Sequence, residues 1–362
     1  MAQIASLSDL RQPFAAPRDM GAFIGQATYT VKRIGTYYYA MEDGTNRLIA
    51  APATDPSGPI NACLALGGRI HLKIDGEWDY GTTLSPRRHG TTLGFERGSL
   101  GGLYGLRFTG VGPAIKTVAD TGNYLTGLKI HGLSLNARGN VNVTFGLQLE
   151  DVQHCSLYDP VIFDITTVAG EAIRVNRNVY ATGPVEVNIY SPFTYNVRNA
   201  LSIQQGAQIV VYGPQLNGMP GGSGAGSNGI YQAAGSYELT VVGPTIVGFE
   251  DSFHLEGDKW VLIRPQMENA TNGINCPNYF YVAAVINPVT FNVTNKYAFP
   301  SGGKIDILDS DVGSLIRIKE KAGAPAGGDF YWLTTEGFIF DTTNNRLYFR
   351  DGASNVRYMT VT

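Results

Sequence analysis

Short runs of alternating apolar and polar residues recur along the chain. Each run ends in an apolar or aromatic residue, which is followed by a dipeptide step whose second residue is proline. The steps are Asp159-Pro160, Ser191-Pro192, Gly213-Pro214, Gly243-Pro244, Arg264-Pro265 and Asn287-Pro288, preceded by Tyr158, Tyr190, Tyr212, Val242, Ile263 and Ile286. Successive prolines lie 32, 22, 30, 21 and 23 residues apart. The basic period is therefore roughly 22 residues, which is typical of a solenoid. The longer units contain inserted loops, and the composition of Gly218–Gly229 is that of a loop.

The repeated runs are short, bounded by turn formers and rich in Val, Ile, Leu and Tyr, so they predict strands rather than helices. They are Leu125–Leu135, Phe145–Leu149, Glu186–Tyr190, Gln208–Tyr212, Glu238–Val242 and Lys259–Ile263. A unit of roughly 22 residues holds three short strands and three turns, and stacking such units gives a parallel β-helix. Proline fits at a corner, where its missing N–H removes no ladder hydrogen bond. A leucine-rich repeat would need leucines and an asparagine at fixed places, which the units lack.

The segments on either side of the repeat divide the chain into three predicted parts. Residues 1–50 contain two predicted strands, Thr28–Ile34 and Thr36–Met41, and form either a mount or a plug over the first coil. Residues 51–297 form the β-helix, which opens with a helix over Asp55–Leu66 that Gly67-Gly68 ends. Residues 298–362 form a β-rich C-terminal module.

Composition narrows the function classes. Of 362 residues, 43% are hydrophobic and only 16% charged, with 45 Gly and 20 Tyr, which favours a β-rich extracellular or virion-type protein. A net charge of −3 gives no electrostatic footprint for nucleic acid. No apolar run approaches 18 residues and no secretion signal is apparent, so we expect neither a membrane partner nor a standard export route. Cys63, Cys155 and Cys276 are predicted to be buried small hydrophobes, with no disulfide, metal site or cofactor.

The start of the repeat carries a family resemblance. A short helix, Gly67-Gly68, the alternating strand Arg69–Ile74 and the strand Thr91–Phe95 resemble the first coils of the pectin-lyase-like right-handed β-helix superfamily. The version found in bacteriophage tailspikes and tail-associated polysaccharide depolymerases is the most similar. In many members the strand ends in Pro-Pro-Gly, whereas here it ends in Lys73-Ile74-Asp75-Gly76. The resemblance spans about Asp55 to Asn292. It implies an all-β fold: a right-handed, single-stranded parallel β-helix with a short N-terminal capping helix.

The end of the chain carries a second resemblance. The stretch FDTTNNRLYFRDG, Phe340 to Gly352, is predicted to form a β-hairpin or meander and resembles terminal segments of phage tail proteins. Such modules close or trimerise a fibre, so the resemblance implies a homotrimer; a cap over the last coil is the alternative. It also implies a location in the virion tail, attachment to other virion proteins through residues 1–50, and a bacterial surface polysaccharide as the partner.

Polar residues that follow the corner prolines are the candidates for chemistry. Three or four residues after a proline lie Asp164, Asn196, Asn217, Glu268 and Asn292, while Glu250 and Asp251 lie slightly further along their unit. One interpretation is an Asn/Asp ladder at a turn. The other is catalytic: Glu250 and Glu268 are 18 residues apart, close to one coil, and glycosidic hydrolysis uses two carboxylates several ångströms apart. Asp164 is the third catalytic candidate.

Aromatic and arginine residues are the candidates for substrate binding. Tyr195, Tyr231 and Trp260 would pack on sugar rings if they face outwards, and would form core ladders if they face inwards. Arg174 and Arg198 would hold the carboxylate of a uronic acid, as a lyase requires. Pectate lyases use calcium held by Asp residues, but the repeat shows no matching cluster.

Three functions remain open from the sequence. The leading hypothesis is a tailspike-like protein that binds and cleaves a bacterial surface polysaccharide, by hydrolysis or by elimination. The second is a non-catalytic virion or adhesion β-helix that binds only glycan or structural partners. The third is a secreted bacterial polysaccharide lyase.

Overall fold

A computed structural model describes most of the chain. The described residues are 27–97, 105–119, 124–177, 185–204, 207–222, 224–236, 238–257, 259–277, 282–298, 304–309, 314–321, 323–324, 338–350 and 356–360. Residues 1–26 of the predicted mount lie outside them.

The first sheet has sixteen strands and runs the length of the molecule. In spatial order they are β2 (Tyr37–Glu42), β1 (Thr28–Ile34), β3 (Arg69–Ile74), β5 (Thr92–Arg97), β9 (Lys129–His131), β13 (Cys155–Tyr158), β16 (Val185–Tyr190), β19 (Ala207–Tyr212), β22 (Glu238–Val242), β25 (Lys259–Ile263), β27 (Val282–Ile286), β29 (Lys304–Asp309), β30 (Ser314–Lys321), β31 (Phe338–Asp341), β32 (Arg346–Arg350) and β33 (Val356–Thr360). Every pair from β1 to β29 is parallel, and antiparallel pairs occur at the two ends.

Two further parallel sheets complete each coil. The second sheet contains β4 (Trp78–Tyr80), β6 (Leu106–Phe108), β10 (Ser134–Asn136), β14 (Val161–Phe163), β17 (Phe193–Val197), β20 (Gln215–Gly218) and β23 (Thr245–Val247). The third contains β7 (Ile115–Lys116), β11 (Phe145–Glu150), β15 (Glu171–Asn176), β18 (Asn199–Ile203), β21 (Asn228–Gln232) and β24 (Asp251–Leu255). The longer strands β26 (Gln266–Asn275) and β28 (Val289–Ala298) pass through both sheets. A small ladder joins β8 (Leu125–Thr126) to β12 (Val152–Gln153).

The register of the first sheet confirms the predicted repeat. The residues that precede the proline steps lie side by side in consecutive strands: Tyr158, Tyr190, Tyr212, Val242, Ile263 and Ile286. Their neighbours one residue earlier, such as Leu157 and Ile189, are buried in a continuous core. The proline-to-proline interval therefore equals the length of a coil, and the chain is a parallel β-helix.

Backbone geometry explains the residue types at the corners. The residue before each proline has a positive φ between 49° and 62°: Asp159, Ser191, Gly213, Gly243, Arg264 and Asn287. This left-handed conformation favours Gly, Asn and Asp, which supply four of the six positions. The sharp corner therefore selects the recurring small or polar residue.

The single helix among the described residues, α1 (Ser57–Leu66), covers the N-terminal end of the core with Ile60, Cys63 and Leu64. The Asp55 carboxylate accepts a hydrogen bond from the Ser57 backbone N–H at 2.7 Å, and Gly67 ends the helix with a φ of 77°. Strand β1 pairs in parallel with β3 just beneath it. Cys63, Cys155 and Cys276 are buried and free, as predicted.

At the other end, β29 continues the parallel ladder past residue 297, since Ile286 pairs with Leu308. The predicted hairpin is present: β31 and β32 are antiparallel around a turn in which Asp341 accepts hydrogen bonds from Thr343 and Asn344. No helix in the described part of the chain is long and apolar enough to cross a membrane.

Candidate functional site

The polar column predicted from the prolines contains two neighbouring columns. Residues three positions after a proline point outwards from the second sheet: Phe163, Tyr195, Asn217, Val247, Glu268 and Phe291. Residues four positions after it lie at the turn into the third sheet: Asp164, Asn196, Gly218, Gly248, Asn269 and Asn292. The sequence could not separate these columns, because the two positions are adjacent and both are often polar.

The turn column is the ladder that the sequence left as an alternative. Asp164, Asn196, Asn269 and Asn292 all have a positive φ, between 52° and 62°. Asn196 donates to Asp164, and Asn292 donates to Asn269 at 2.8 Å. Asp164 therefore has a local structural partner, although it also lines a cavity with Tyr195.

The structure does not bring Glu250 and Glu268 together in one cavity. Glu268 lies beside Val247 in the second sheet, and its carboxylate accepts a hydrogen bond from Gln266. Glu250 lies beyond the turn, where its carbonyl accepts from Asn272. The two are thus displaced by three residues along the coil, about 10 Å at the usual strand rise. Their carboxylates also have different partners.

Glu250 and Arg198 hold a glycine-rich loop, which the structure describes at residues 219–222 and 224–227. The Glu250 carboxylate accepts from the Gly226 backbone N–H, and Arg198 donates to the carbonyl of Ala225. The Glu250 backbone N–H donates to the Ser227 hydroxyl at 2.9 Å. In this structure, these two predicted site residues position a loop.

A denser group of ionisable side chains lies on the outward face of the third sheet. We call it the acid–histidine cluster: Glu171, Arg174, Tyr231, Asp251, His254 and Glu256. Arg174, Tyr231 and His254 lie in one column, separated only by Ser202. Two predicted residues, Arg174 and Tyr231, therefore belong to this cluster.

His254 lies at the centre of one half of the cluster. Its Nδ1 is 2.7 Å from Asp251 Oδ2, and its Nε2 is 3.1 Å from Glu256 Oε1. Asn272 and Asn275 also donate to Asp251, each at 2.7 Å. Because both ring nitrogens face carboxylates, the ring is held as an imidazolium that orients Glu256.

Glu171 lies at the centre of the other half. Arg174 Nη1 is 3.6 Å from Glu171 Oε1, and the guanidinium stacks over the Phe145 ring at 4.8 Å. The Glu171 Oε2 atom is buried and has no hydrogen-bond partner among the described residues. The Tyr231 hydroxyl donates to Glu256 Oε2 at 3.3 Å, and the charges of Glu171 and Arg174 act on it electrostatically.

The environment separates the acid strengths of these carboxyls. Burial raises the pKa of Glu171, and the opposing effects of Arg174 and Ser202 do not cancel it. Burial also acts to raise the pKa of Asp251, but hydrogen bonds from His254, Asn272 and Asn275 outweigh it and hold that pKa below its usual value. The Asp251 hydrogen bond raises the pKa of His254. A carboxyl with a raised pKa thus lies in the same cluster as one with a lowered pKa, and acid–base catalysis uses carboxyls whose environments push their pKa values apart.

The substrate-binding role predicted for Trp260 is wrong. Its side chain is 1% exposed and packs in the core, because it occupies an inward position of β25 between Leu239 and Ala283. Tyr195, by contrast, faces outwards and is 47% exposed. No group of His, Cys, Asp or Glu within the described ranges could hold a metal ion.

Sequence reasoning missed Glu171, His254 and Glu256. They lie in the third sheet, at the end of turns whose lengths vary from coil to coil. The available signal was the GFEDSFHLEG stretch, where Glu250, Asp251, His254 and Glu256 follow closely in a chain of few charges.

Comparisons with known proteins agree with this architecture. No family model and no curated protein sequence matches the chain. Among solved structures, ORF18 of Geobacillus virus E2 is similar at a TM-score of 0.50 and 10% identity, over 90% of this chain and 93% of that one. A pectate lyase variant from Xanthomonas campestris aligns at a TM-score of 0.33 and 10% identity, over 67% of this chain and 78% of that one. The parallel sheets and the likeness to ORF18 show that the chain has a parallel β-helix fold.

Proposed function

We propose that this protein binds and cleaves a bacterial surface polysaccharide at the acid–histidine cluster. The observation that carries the proposal is the acid–histidine cluster itself, in which Glu171 is a buried carboxyl with a raised pKa and Glu256 is a carboxylate held by His254 and Tyr231. Both lie on the outward face of the third sheet, where the Glu256 side chain is 25% exposed and the Glu171 side chain 15%.

The chemistry follows from the two carboxyl groups. Glu171 gives its proton to the leaving glycosidic oxygen as the carbon–oxygen bond breaks. Glu256 takes a proton from the attacking water, or attacks the sugar carbon itself and is later released by water. His254 and Asp251 are positioning residues, because they act through Glu256. Arg174 stabilises negative charge next to Glu171.

The test is the release of new reducing ends from a panel of capsular and lipopolysaccharide glycans. We expect Glu171→Gln and Glu256→Gln to lower the rate by about 10²- to 10⁴-fold, the usual contribution of a general acid or base. Glu238→Gln is the matched control, since Glu238 forms an exposed ion pair with Lys259 on the first sheet. A complete panel without chain shortening rejects cleavage, and equal rates in all three variants reject this site.

A non-catalytic glycan-binding protein is the second candidate. It is favoured by the saturation of the cluster: Asp251 accepts three hydrogen bonds, and both carboxylate oxygens of Glu256 have partners. Glycan binding without chain shortening would support it. Elimination is a variant of the first proposal, in which Arg174 holds a uronic acid carboxylate.

The wider setting of the proposal is a virion tail. The likeness to a Geobacillus virus protein along nearly the whole chain supports it. We propose a homotrimer that attaches to other virion proteins through residues 1–50. Light scattering tests the stoichiometry: a trimer supports the tail-protein proposal, and a monomer favours the secreted lyase.

A further inference from the structure

A second surface of the β-helix, separate from the acid–histidine cluster, has the shape of a binding site. It follows the outward column of the second sheet and its turn, and consists of three neighbouring cavities of about 240, 500 and 430 Å³. Tyr195 lines the first and second cavities, and Gly221, Gly222 and Asn269 line the second and third. Because neighbouring cavities share residues, they form one channel along the helix axis, which we call the lateral groove.

One wall of the lateral groove is a fixed loop. Residues 219–222 and 224–227 form it, and Glu250 and Arg198 hold it through the hydrogen bonds described above. Gly221 and Gly222 have φ values of 87° and 100°, so the backbone can turn sharply beside the groove without side chains that would fill it. The wall is therefore built into the folded chain.

The lining of the lateral groove suits a ligand rich in hydroxyl and amide groups. Asn136, Asn217, Asn269 and Asn292 contribute amides, and Tyr195 contributes an exposed ring. The carboxylates are already engaged: Glu77 pairs with Arg107 at 3.1 Å, Asp164 accepts from Asn196, and Glu250 binds the loop. Uncharged sugars offer hydroxyls to amides and an apolar ring face to tyrosine.

We infer that the lateral groove is a non-catalytic binding site for a neutral stretch of glycan. It holds the polymer on the second sheet, around the corner from the cluster on the third. The inference rests on the proposed sugar-directed function but not on its cleavage chemistry. Tyr195 is the ring on which a sugar packs, and Asp164 lies beneath it as part of the turn ladder.

The experiment measures binding to an array of neutral and acidic bacterial surface glycans, with every variant made in the Glu171→Gln background to keep the glycans intact. Tyr195→Ala removes the ring. Val247 lines the 500 Å³ cavity, so Val247→Trp places a large side chain inside it. We expect each to weaken binding of a neutral glycan at least tenfold. Tyr37→Ala and Val261→Trp are the controls: Tyr37 is 48% exposed on β2, close to the 47% of Tyr195, and Val261 faces outwards on the first sheet.

The outcomes separate this inference from the proposed cleavage. If glycan binding depends on Tyr195 but the parent protein cleaves no glycan, the binding site in the lateral groove is supported and the proposed cleavage is rejected. Where cleavage occurs, Tyr195→Ala in the active protein should raise KM for the polymer and leave kcat unchanged. The inference is overturned if no neutral glycan binds, or if Tyr195→Ala and Val247→Trp bind as tightly as their controls while melting at the parent temperature.

Discussion

The outward faces of the first and third sheets are built on the same ladder but carry opposite kinds of column. On the first sheet, His131, Tyr158, Tyr190 and Tyr212 stack at centroid distances of 4.4, 5.0 and 5.2 Å, with rings within 8° of parallel. The next three coils continue with Val242, Ile263 and Ile286. Like residues thus stabilise successive coils by contact with one another.

On the third sheet, every coil has a different residue in the equivalent column: Gln148, Arg174, Ser202, Tyr231, His254 and Asn275. Such a series does not stack like residue on like residue, and its members instead form ion pairs and hydrogen bonds with nearby polar side chains. In a solenoid, a repeating column indicates what holds the coils together, and a non-repeating polar column indicates where function has been added. The following variants test this distinction.

The largest effect should come from the core. Trp260→Ala removes a fully buried ring and should lower the free energy of unfolding by about 3–5 kcal/mol. Urea unfolding followed by circular dichroism measures it. Tyr195→Ala, on the outward face, should stay within about 0.5 kcal/mol of the parent, and a similar loss for both would contradict the assignment of inside and outside.

The next effect concerns the proposed cleavage rather than folding. Asp251→Asn keeps the size of the side chain but weakens its hydrogen bond to His254. Because His254 also contacts Glu256, the orientation of Glu256 should become less fixed. We expect kcat to fall by about ten- to a hundredfold with little change in KM, because misplacement acts on the reacting geometry. Steady-state rates on the cleaved glycan measure this split. A change confined to KM would show that Asp251 contributes to binding instead.

A smaller effect is expected from the aromatic stack. Tyr190 stacks between the rings of Tyr158 and Tyr212. Tyr190→Ala should therefore cost about 1–2 kcal/mol of stability. A double-mutant cycle of Tyr158 and Tyr190 isolates the ring contact from the lost surface area. A coupling energy of zero would mean that the stack is only a consequence of the repeat.

The smallest effect is on the pH dependence of stability. The folded-state pKa of His254 is raised, chiefly by its hydrogen bond to Asp251, so its imidazolium stabilises the fold fully below its unfolded pKa of about 6.5. That stabilisation is lost as the pH rises through the folded-state pKa. The difference in unfolding free energy between the parent and His254→Gln, measured from about pH 5.5 to 8.5, should therefore shrink with rising pH. Taking the difference removes the contribution of His131, whose pKa is lowered by burial and which acts in the opposite direction. A difference that stays constant with pH would place the titration elsewhere.

The sequence predicted the fold because its periodic features act locally. Each corner needs a left-handed residue before proline, and each first-sheet strand alternates inward and outward side chains, so Tyr158, Tyr190 and Tyr212 could be aligned by counting alone. The predicted bounds of β1, β3, β22 and β25 match the structure.

The site could not be predicted by the same counting. Equivalent positions in the third sheet lie at unequal distances from their corner prolines. The distances are 14, 10, 17 and 10 residues for Arg174, Ser202, Tyr231 and His254. The second sheet is separated from the third by turns of variable length, including the glycine-rich loop. The register of the third sheet is therefore set by the pairing of its strands in the folded chain and not by residue counting. For this reason counting from the prolines placed Glu250 and Glu268 in neighbouring coils, and it gave no indication that Glu171 and Glu256 belong to one cluster.

The most direct test of the account compares these two pairs of carboxylates. New reducing ends are measured for the parent protein, Glu171→Gln, Glu256→Gln and Glu268→Gln on the same glycan, with melting temperatures as a check on folding. We expect a loss of at least about a hundredfold in the first two variants and parent activity in Glu268→Gln. Full activity in Glu171→Gln or Glu256→Gln, or loss in Glu268→Gln alone, would contradict it.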